Sequence, residues 1–283
     1  MKKILVPTDF SEISYYAAEV AAQIAKKHDA RVYLMHILDM PDGYDVPKDM
    51  AEQIFVMKRT KMEFRKLVSQ PFFKGVNLAE VLLFNQVSDS ITEHAKEHEM
   101  DLIVMGSNGT KGHNAFSAGS NTQKVVRYSD VPVLTVKHRQ ENFDPKSIVF
   151  ASNFFGEAED SFTPIADFAQ FFNAQLHLLK VITPSNFENT GYSNHVMEAF
   201  AQKQHLKNYT LNTYNHKNME TGILEFATST NADVIAINTH GRRGISHLVA
   251  GSIAEDVVNE ANACILSVKL PKVPTNDNIL FPG

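Results

Sequence analysis

The sequence predicts an α/β protein made of two tandem units, each a parallel sheet with flanking helices. Three observations carry this expectation. Short apolar runs alternate with helix-period segments along the chain, the pattern that crossover units produce. A glycine-bearing motif, Gly106-Ser107-Asn108-Gly109, then nine residues, then Gly119-Ser120, follows the apolar run Leu102 to Met105. Much of it returns 132 residues later as Asn238-Thr239-His240-Gly241, nine residues and Gly251-Ser252, behind the run Val234 to Ile237.

Each unit opens on a strand, since Ile4-Leu5-Val6-Pro7-Thr8-Asp9-Phe10 aligns with Ile148-Val149-Phe150-Ala151-Ser152-Asn153-Phe154 at a spacing of 144. A helix follows, with Ile13, Ala17, Val20, Ala21 and Ile24 at helical spacing in the first half and Ile165, Phe168, Ala169 and Phe172 in the second. Ser11 marks the start of the first helix, and Ser161 with Pro164 that of the second. Second strands are expected at 31–38 and 175–182, and polar helices at 48–69 and 192–208. The first of these helices carries a stripe of Met50, Phe55, Met57, Met62 and Phe64, expected to be core or an interface face. Its basic cluster Lys58-Arg59-Thr60-Lys61 is expected on a solvated face.

Third strands are expected at 78–83 and 206–214, helices at 87–98 and 219–229, and fourth strands at 101–105 and 233–237. Helices from Ser120 and Ser252 then lead to fifth strands, Val131 to Val136 and Ala263 to Val268. The units are placed at 1–140 and 145–270, with the junction near 142–146 and a tail, 271–283, that contains three prolines.

At 283 residues and 43% apolar content, the chain is long enough for two cores of about 140 residues each. Its formal charge of -5 gives no global basic field for nucleic acid. Met1-Lys2-Lys3 runs straight into the first strand, and no apolar run reaches the roughly 18 residues of a membrane span, so a cytoplasmic protein is expected. The single cysteine, Cys264, lies inside an apolar strand and reads as a buried small hydrophobe.

The glycine motif is where chemistry is expected. Glycines leaving a strand, with a Gly-Ser opening a helix, present bare backbone N-H groups to an anion, and phosphate suits that geometry. In a parallel sheet the ligand sits beyond the carboxyl ends of the strands where their order reverses, which is where Asp9 and Gly106 would meet. Lys111, His113, Arg242, Arg243 and His247 fall in the nine-residue spacers, either as phosphate partners or as exposed loop residues. The twelve histidines are scattered, and His94 with His98, one helical turn apart, make no metal motif. No lysine stands between Gly119 and Ser120, so the Walker ending is absent, and no nucleophile arrangement can be read from residue order.

Pro7-Thr8-Asp9-Phe10-Ser11-Glu12 together with the Gly-x2-Gly-x9-Gly-Ser motif resembles the universal stress protein family, and the duplication resembles a tandem member over nearly the whole chain. The resemblance implies two Rossmann-like units, each a five-stranded parallel sheet in the order 3-2-1-4-5. It also implies pairing through the fifth strands, here an internal pseudo-dimer along 131–136 and 264–268, and leaves room for a homodimer of chains. The family has an ATP-binding class and a class that does not bind ATP. In the former, the aspartate after the first strand meets adenosine, a residue ending the second strand meets adenine, and the glycine loop and Gly-Ser hold ribose and phosphates.

Those positions here resemble Asp9, Ile37, Gly106, Gly109, Gly119 and Ser120, with Thr8, Met105 and the Asn121 backbone nearby. A weaker second set is Asn153, Val181, Asn238, Gly241, Gly251, Ser252 and Ile253. Asn153 replaces the aspartate and loses its charge, and Asn238 adds a side chain where the first glycine belongs. What the resemblance implies is a stress-response regulator or sensor that binds ATP, ADP or AMP chiefly in its first half. Mg²⁺ or Mn²⁺ would arrive with the nucleotide, and the signalling partner is not named by any residue. An interaction scaffold without nucleotide and a slow ATPase or self-phosphorylating protein are the alternatives.

Overall fold

The computed structural model describes residues 1–39, 50–85, 87–107, 120–239, 257–258 and 260–271. The elements of the first half are β1 (Lys3–Pro7), α1 (Glu12–His28), β2 (Arg31–Asp39), α2 (Met50–Val68), β3 (Asn77–Asn85), α3 (Val87–Glu97), β4 (Leu102–Gly106), α4 (Ser120–Tyr128) and β5 (Val133–Val136). Those of the second are β6 (Ser147–Ala151), α5 (Glu157–Asp160), α6 (Thr163–Phe172), β7 (Gln175–Ile182), α7 (Thr190–Lys203), β8 (Tyr209–Asn215), α8 (Met219–Ser229), β9 (Val234–Thr239) and β10 (Cys264–Lys269).

The strands form one ten-stranded sheet in the order β3-β2-β1-β4-β5-β10-β9-β6-β7-β8. Each half contributes five parallel strands in the expected 3-2-1-4-5 order. The halves join where β5 and β10 pair antiparallel, with Thr135 opposite Ile265 and Leu134 opposite Leu266. The pairing through fifth strands therefore lies within one chain, and the two expected sheets are a single sheet. The antiparallel seam inverts the second half, so the carboxyl ends of its strands emerge from the opposite edge.

Two cores were expected, one per unit; the buried side chains instead divide by sheet face, and each core crosses the seam. One face joins Ile4, Val6 and the alanine-rich α1 to Leu134, Leu266, Phe150 and Phe168. The other joins Leu5, Ile103 and Val125 to Val149, Ile235 and Ile265. The reason is the parallel strand itself: helices cover both faces, so successive residues feed opposite cores.

The duplication is visible in the backbone. Phe10 and Phe154 share positive φ angles of 62° and 63°, Asp29 and Asn173 of 51° and 52°, and Glu99 and Asn231 of 51° and 48°. Asp29 and Asn173 each end a helix in the left-handed conformation, with the backbone N-H returned to Ala25 and Ala169.

The first helix differs between halves. α1 runs unbroken for 17 residues from its N-cap Ser11. Its counterpart is split into α5 and α6, with Pro164 in the opening turn of α6. A proline ring clashes with the carbonyl four residues back and lacks an N-H, so the helix begun at Glu157 cannot pass through it. On α2, Phe64 is core, but Phe55, Met57 and Met62 of the expected apolar stripe are exposed. Lys58, Arg59 and Lys61 are exposed and Thr60 is buried. No helix among the described residues is long and apolar enough to cross a membrane.

Candidate functional site

Of the first-half candidates, Ser120 and Asn121 open α4, and Thr8, Asp9, Ile37, Met105 and Gly106 lie at the carboxyl ends of β1, β2 and β4. β1 lies between the other two, with Pro7 beside Met35 and Leu5 beside Ile103. The chain leaves β1 through a turn built by two side chains. Thr8 Oγ1 accepts from Phe10 N at 3.0 Å and Asp9 Oδ1 from Ser11 N at 3.0 Å. Ser11 then caps α1, accepting from Ser14 N at 3.3 Å.

Thr8 is buried, and its hydroxyl also meets Ser14 Oγ at 2.9 Å, so it is committed to the turn. Asp9 is exposed, with one carboxylate oxygen in the turn and the other making no hydrogen bond among the described residues. Asp9 therefore shapes the turn with one carboxylate oxygen, and the other stays unengaged among the described residues.

Sequence reasoning missed His36. Its Nδ1 lies 2.8 Å from Thr8 O, and since a carbonyl only accepts, Nδ1 carries the proton. The ring packs at a tilt against Phe10, 4.6 Å between centres, and Phe10 meets Phe64 edge-on at 5.2 Å, tying the loop after β1 to the end of β2 and to α2. Its sequence signal was a polar residue inside the apolar run of β2, beside Ile37. Ile37 and Met105 face the opposite core, where Met105 is buried and Ile37 partly so.

Gly106 ends β4, and its small size has a structural cause. A Cβ there would lie 2.7 Å from Ile13 Cγ2 and 3.0 Å from both Ile13 C and O, so the glycine admits the first turn of α1. Its carbonyl accepts from Thr122 Oγ1 at 3.1 Å, which fixes the first turn of α4 to the strand end. The opening N-H groups of a helix have no intrahelical partner, so α4 brings those of Ser120 and Asn121 to the same end of the sheet as Asp9. Gly109 and Gly119, with Lys111 and His113, lie outside the described residues.

The second half repeats the turn and fills the space around it. Phe154 N donates to Ser152 Oγ at 3.2 Å and Phe155 N to Asn153 Oδ1 at 3.1 Å, so asparagine makes the same turn as Asp9 without a charge. Asn238, at the place of Gly106, donates through Nδ2 to Ser161 Oγ at 2.9 Å, inside the break between α5 and α6. Its Oδ1 is buried without a hydrogen-bond partner. The split helix thus makes room for the side chain that α1 excludes at Gly106. Val181, the expected adenine contact, is buried, and its carbonyl accepts from Asn186 Nδ2 at 3.1 Å. Gly241, Gly251, Ser252 and Ile253, with Arg242, Arg243 and His247, lie outside the described residues.

A second residue missed from the sequence is Lys180, which stands 144 positions after His36. Its side chain is 7% exposed and ion-paired to Glu188 Oε1 at 2.5 Å. The ammonium lies 5.1 Å from the Phe155 ring centre and 5.7 Å from that of Tyr192. Burial pulls the Glu188 carboxyl up, but Lys180 and the Ser193 hydroxyl outweigh it and hold the group below its usual range. A lone lysine between Leu179 and Val181 was the available signal. No group of three or more metal-ligating side chains occurs among the described residues.

Comparison with known proteins agrees with the duplication. The Universal stress protein family model matches residues 1–137 and again 145–269. The chain is similar to universal stress protein MJ0531 of Methanocaldococcus jannaschii, 33% identical over 139 residues that cover 48% of this chain and 82% of that one. It is also similar to the universal stress protein E homolog of Haemophilus influenzae, 24% identical over 313 residues, covering 96% and 98% of the two chains. Among solved structures, a universal stress protein from Archaeoglobus fulgidus superposes with a TM-score of 0.74 at 19% identity, covering 95% of this chain and 97% of that chain. That likeness bears on the fold.

Proposed function

The chain belongs to the universal stress protein family, and from that premise we propose that it is a stress-response regulator or sensor that holds one adenine nucleotide, ATP or its hydrolysis products, in its first half. The observation that carries this reading is the pairing of Asp9 with the opening turn of α4 at one end of the sheet. An exposed carboxylate with an unused oxygen suits the hydroxyl and amino donors of adenosine, and unpaired helix N-H groups suit phosphates. Gly109 and Gly119, outside the described residues, are included in the proposed site on the resemblance of their motif, and a divalent cation would be carried in by the phosphates.

Three features of the second half support a single site per chain. The Val181 carbonyl is satisfied by Asn186, the place of the first glycine is filled by Asn238, and the charge of Asp9 is absent at Asn153. No lysine stands between Gly119 and Ser120 as in a Walker ending, which favours a sensor over a dedicated ATPase.

The test is calorimetric titration of ATP with Mg²⁺ into the protein freed of bound nucleotide and into Asp9→Asn. One ATP per chain is expected, with affinity lower by about tenfold in the variant, the cost of one charged hydrogen bond. Because Asn153 makes the same turn, Asp9→Asn keeps the fold and isolates the carboxylate. Absence of binding to the unmodified protein overturns the reading in favour of an interaction scaffold.

A further inference from the structure

Helix α4 has one end in each half of the molecule. Its first turn is tied to the first cleft by Thr122 and the Gly106 carbonyl. Its last turn is tied to the second half: Thr239 Oγ1 donates to Val126 O at 3.2 Å, and Lys269 Nζ donates to Tyr128 O at 2.9 Å. The same ammonium reaches Asp130 Oδ1, just past the helix, at 2.6 Å. Neither donor is a casual surface contact, since Thr239 is 2% exposed and the Lys269 side chain 14%.

The seam explains this arrangement. Antiparallel pairing of β5 and β10 inverts the second half, so β9 and β10 end, at Thr239 and Lys269, at the edge where α4 finishes. α4 has nine residues, about 13 Å at 1.5 Å per residue, and a helix that short does not hold its own ends in water. Its final carbonyls are orphaned within the helix and carry the negative end of the dipole. The Thr239 hydroxyl and the Lys269 ammonium, both from the other half, donate to two of them, Val126 O and Tyr128 O.

We propose that Thr239 and Lys269 are positioning residues for the nucleotide cleft of the opposite half: by clamping the last turn of α4 they hold its first turn in register against Gly106, where phosphate is received. The inference rests on the nucleotide reading of the first cleft. Coupling of this kind is reciprocal, so nucleotide at the first turn of α4 must also tighten the clamp at its last turn.

The experiment measures ATP affinity with Mg²⁺ by calorimetry, and amide hydrogen exchange over residues 123–128 with and without ATP, in the unmodified protein, Lys269→Met, Thr239→Val and Lys96→Met. Met and Val keep the bulk of the side chains they replace while removing the donors, and Thr239→Val serves if Lys269→Met fails to fold. Lys96 pairs with the same Asp130, at 3.1 Å, without touching α4 carbonyls, and is the control. Expected are affinities reduced about fivefold or more in the two clamp variants, no change in Lys96→Met, and an ATP-induced slowing of exchange in α4 that both clamp variants lose. Equal affinity and equal slowing in the clamp variants overturn the clamp while leaving the nucleotide site intact. Equal losses in Lys96→Met overturn it too, by assigning the effect to the Asp130 charge network. Absence of ATP binding to the unmodified protein overturns the nucleotide reading and the clamp with it.

Discussion

Gly106 has a steric role that its place in a glycine motif conceals. The atoms nearest to an added Cβ include the Ile13 backbone at 3.0 Å, and backbone cannot rotate aside as a side-chain tip can. Gly106→Ala should therefore lower stability by about 1–3 kcal/mol, read from the urea midpoint, before any effect on ligand is considered. An unchanged midpoint would mean that α1 can move off the strand at no cost. Asn238 shows the alternative that this fold has adopted: a side chain at the same place, with the helix above it broken at Ser161 and Pro164. Asp9 and Asn153 separate two roles in the same way. The turn needs an acceptor oxygen, which both supply, so the negative charge is surplus to the fold in the half where it occurs.

At the level of elements, the ends of β5 and β10 carry matched lysines, Lys137 and Lys269, each following a valine and 132 residues apart. Lys269 is satisfied by Tyr128 and Asp130, and the Asp130 carboxyl is held below its usual range, first by the Lys269 hydrogen bond, against burial, with Lys96 adding to it. Lys137 is pushed down by burial to about 8 from 10.5, with Glu260 opposing the shift. Its pH consequence follows from proton binding. Between about 8 and 10.5 the unfolded chain holds more protons at this group than the folded one, so stability rises with pH across that window. Urea midpoints measured through it should climb, and Lys137→Met should remove that part of the climb. A Lys137→Met profile identical to that of the unmodified protein would show that the ammonium is solvated in the folded state.

The molecule as a whole is held together across its seam. Leu134 and Leu266, opposite one another, are fully buried, and both cores continue from one half into the other. Breaking the chain between 140 and 145 should therefore leave the halves associated. Co-expressed 1–140 and 145–283 should purify as one species from a tag on either, since separation would expose two apolar strand edges and the buried face of α4. Recovery of two independently folded monomers would show that the seam is a contact between self-sufficient domains. The exposed Phe55, Met57 and Met62 of α2 lie on the outer layer, far along the strand order from the seam, and take no part in this association.

The alternation of apolar runs with helix-period segments, read twice at spacings of 132 and 144, was enough for the element order and the two-unit plan, because crossover units impose that pattern locally. The resemblance supplied the strand order and the fifth-strand pairing, which residue patterns alone leave open. Local chemistry was legible too: the cap at Ser11 and the helix entry at Pro164 each depend on residues within a few positions, whereas the short α5 ahead of that entry was not expected. The sequence was silent where partners are distant along the chain. That Gly106 admits Ile13, that Asn238 reaches Ser161, and that Thr239 and Lys269 cap a helix of the other half are contacts across 77 to 141 residues, and Lys180 meets Glu188, Phe155 and Tyr192 only once the loops after β6 and β7 are folded against it. The contacts within a half exist because each crossover folds its helix and loops back over its own sheet, and those of Thr239 and Lys269 because the antiparallel seam brings opposite ends of the two halves together; only the folded sheet decides which ends those are.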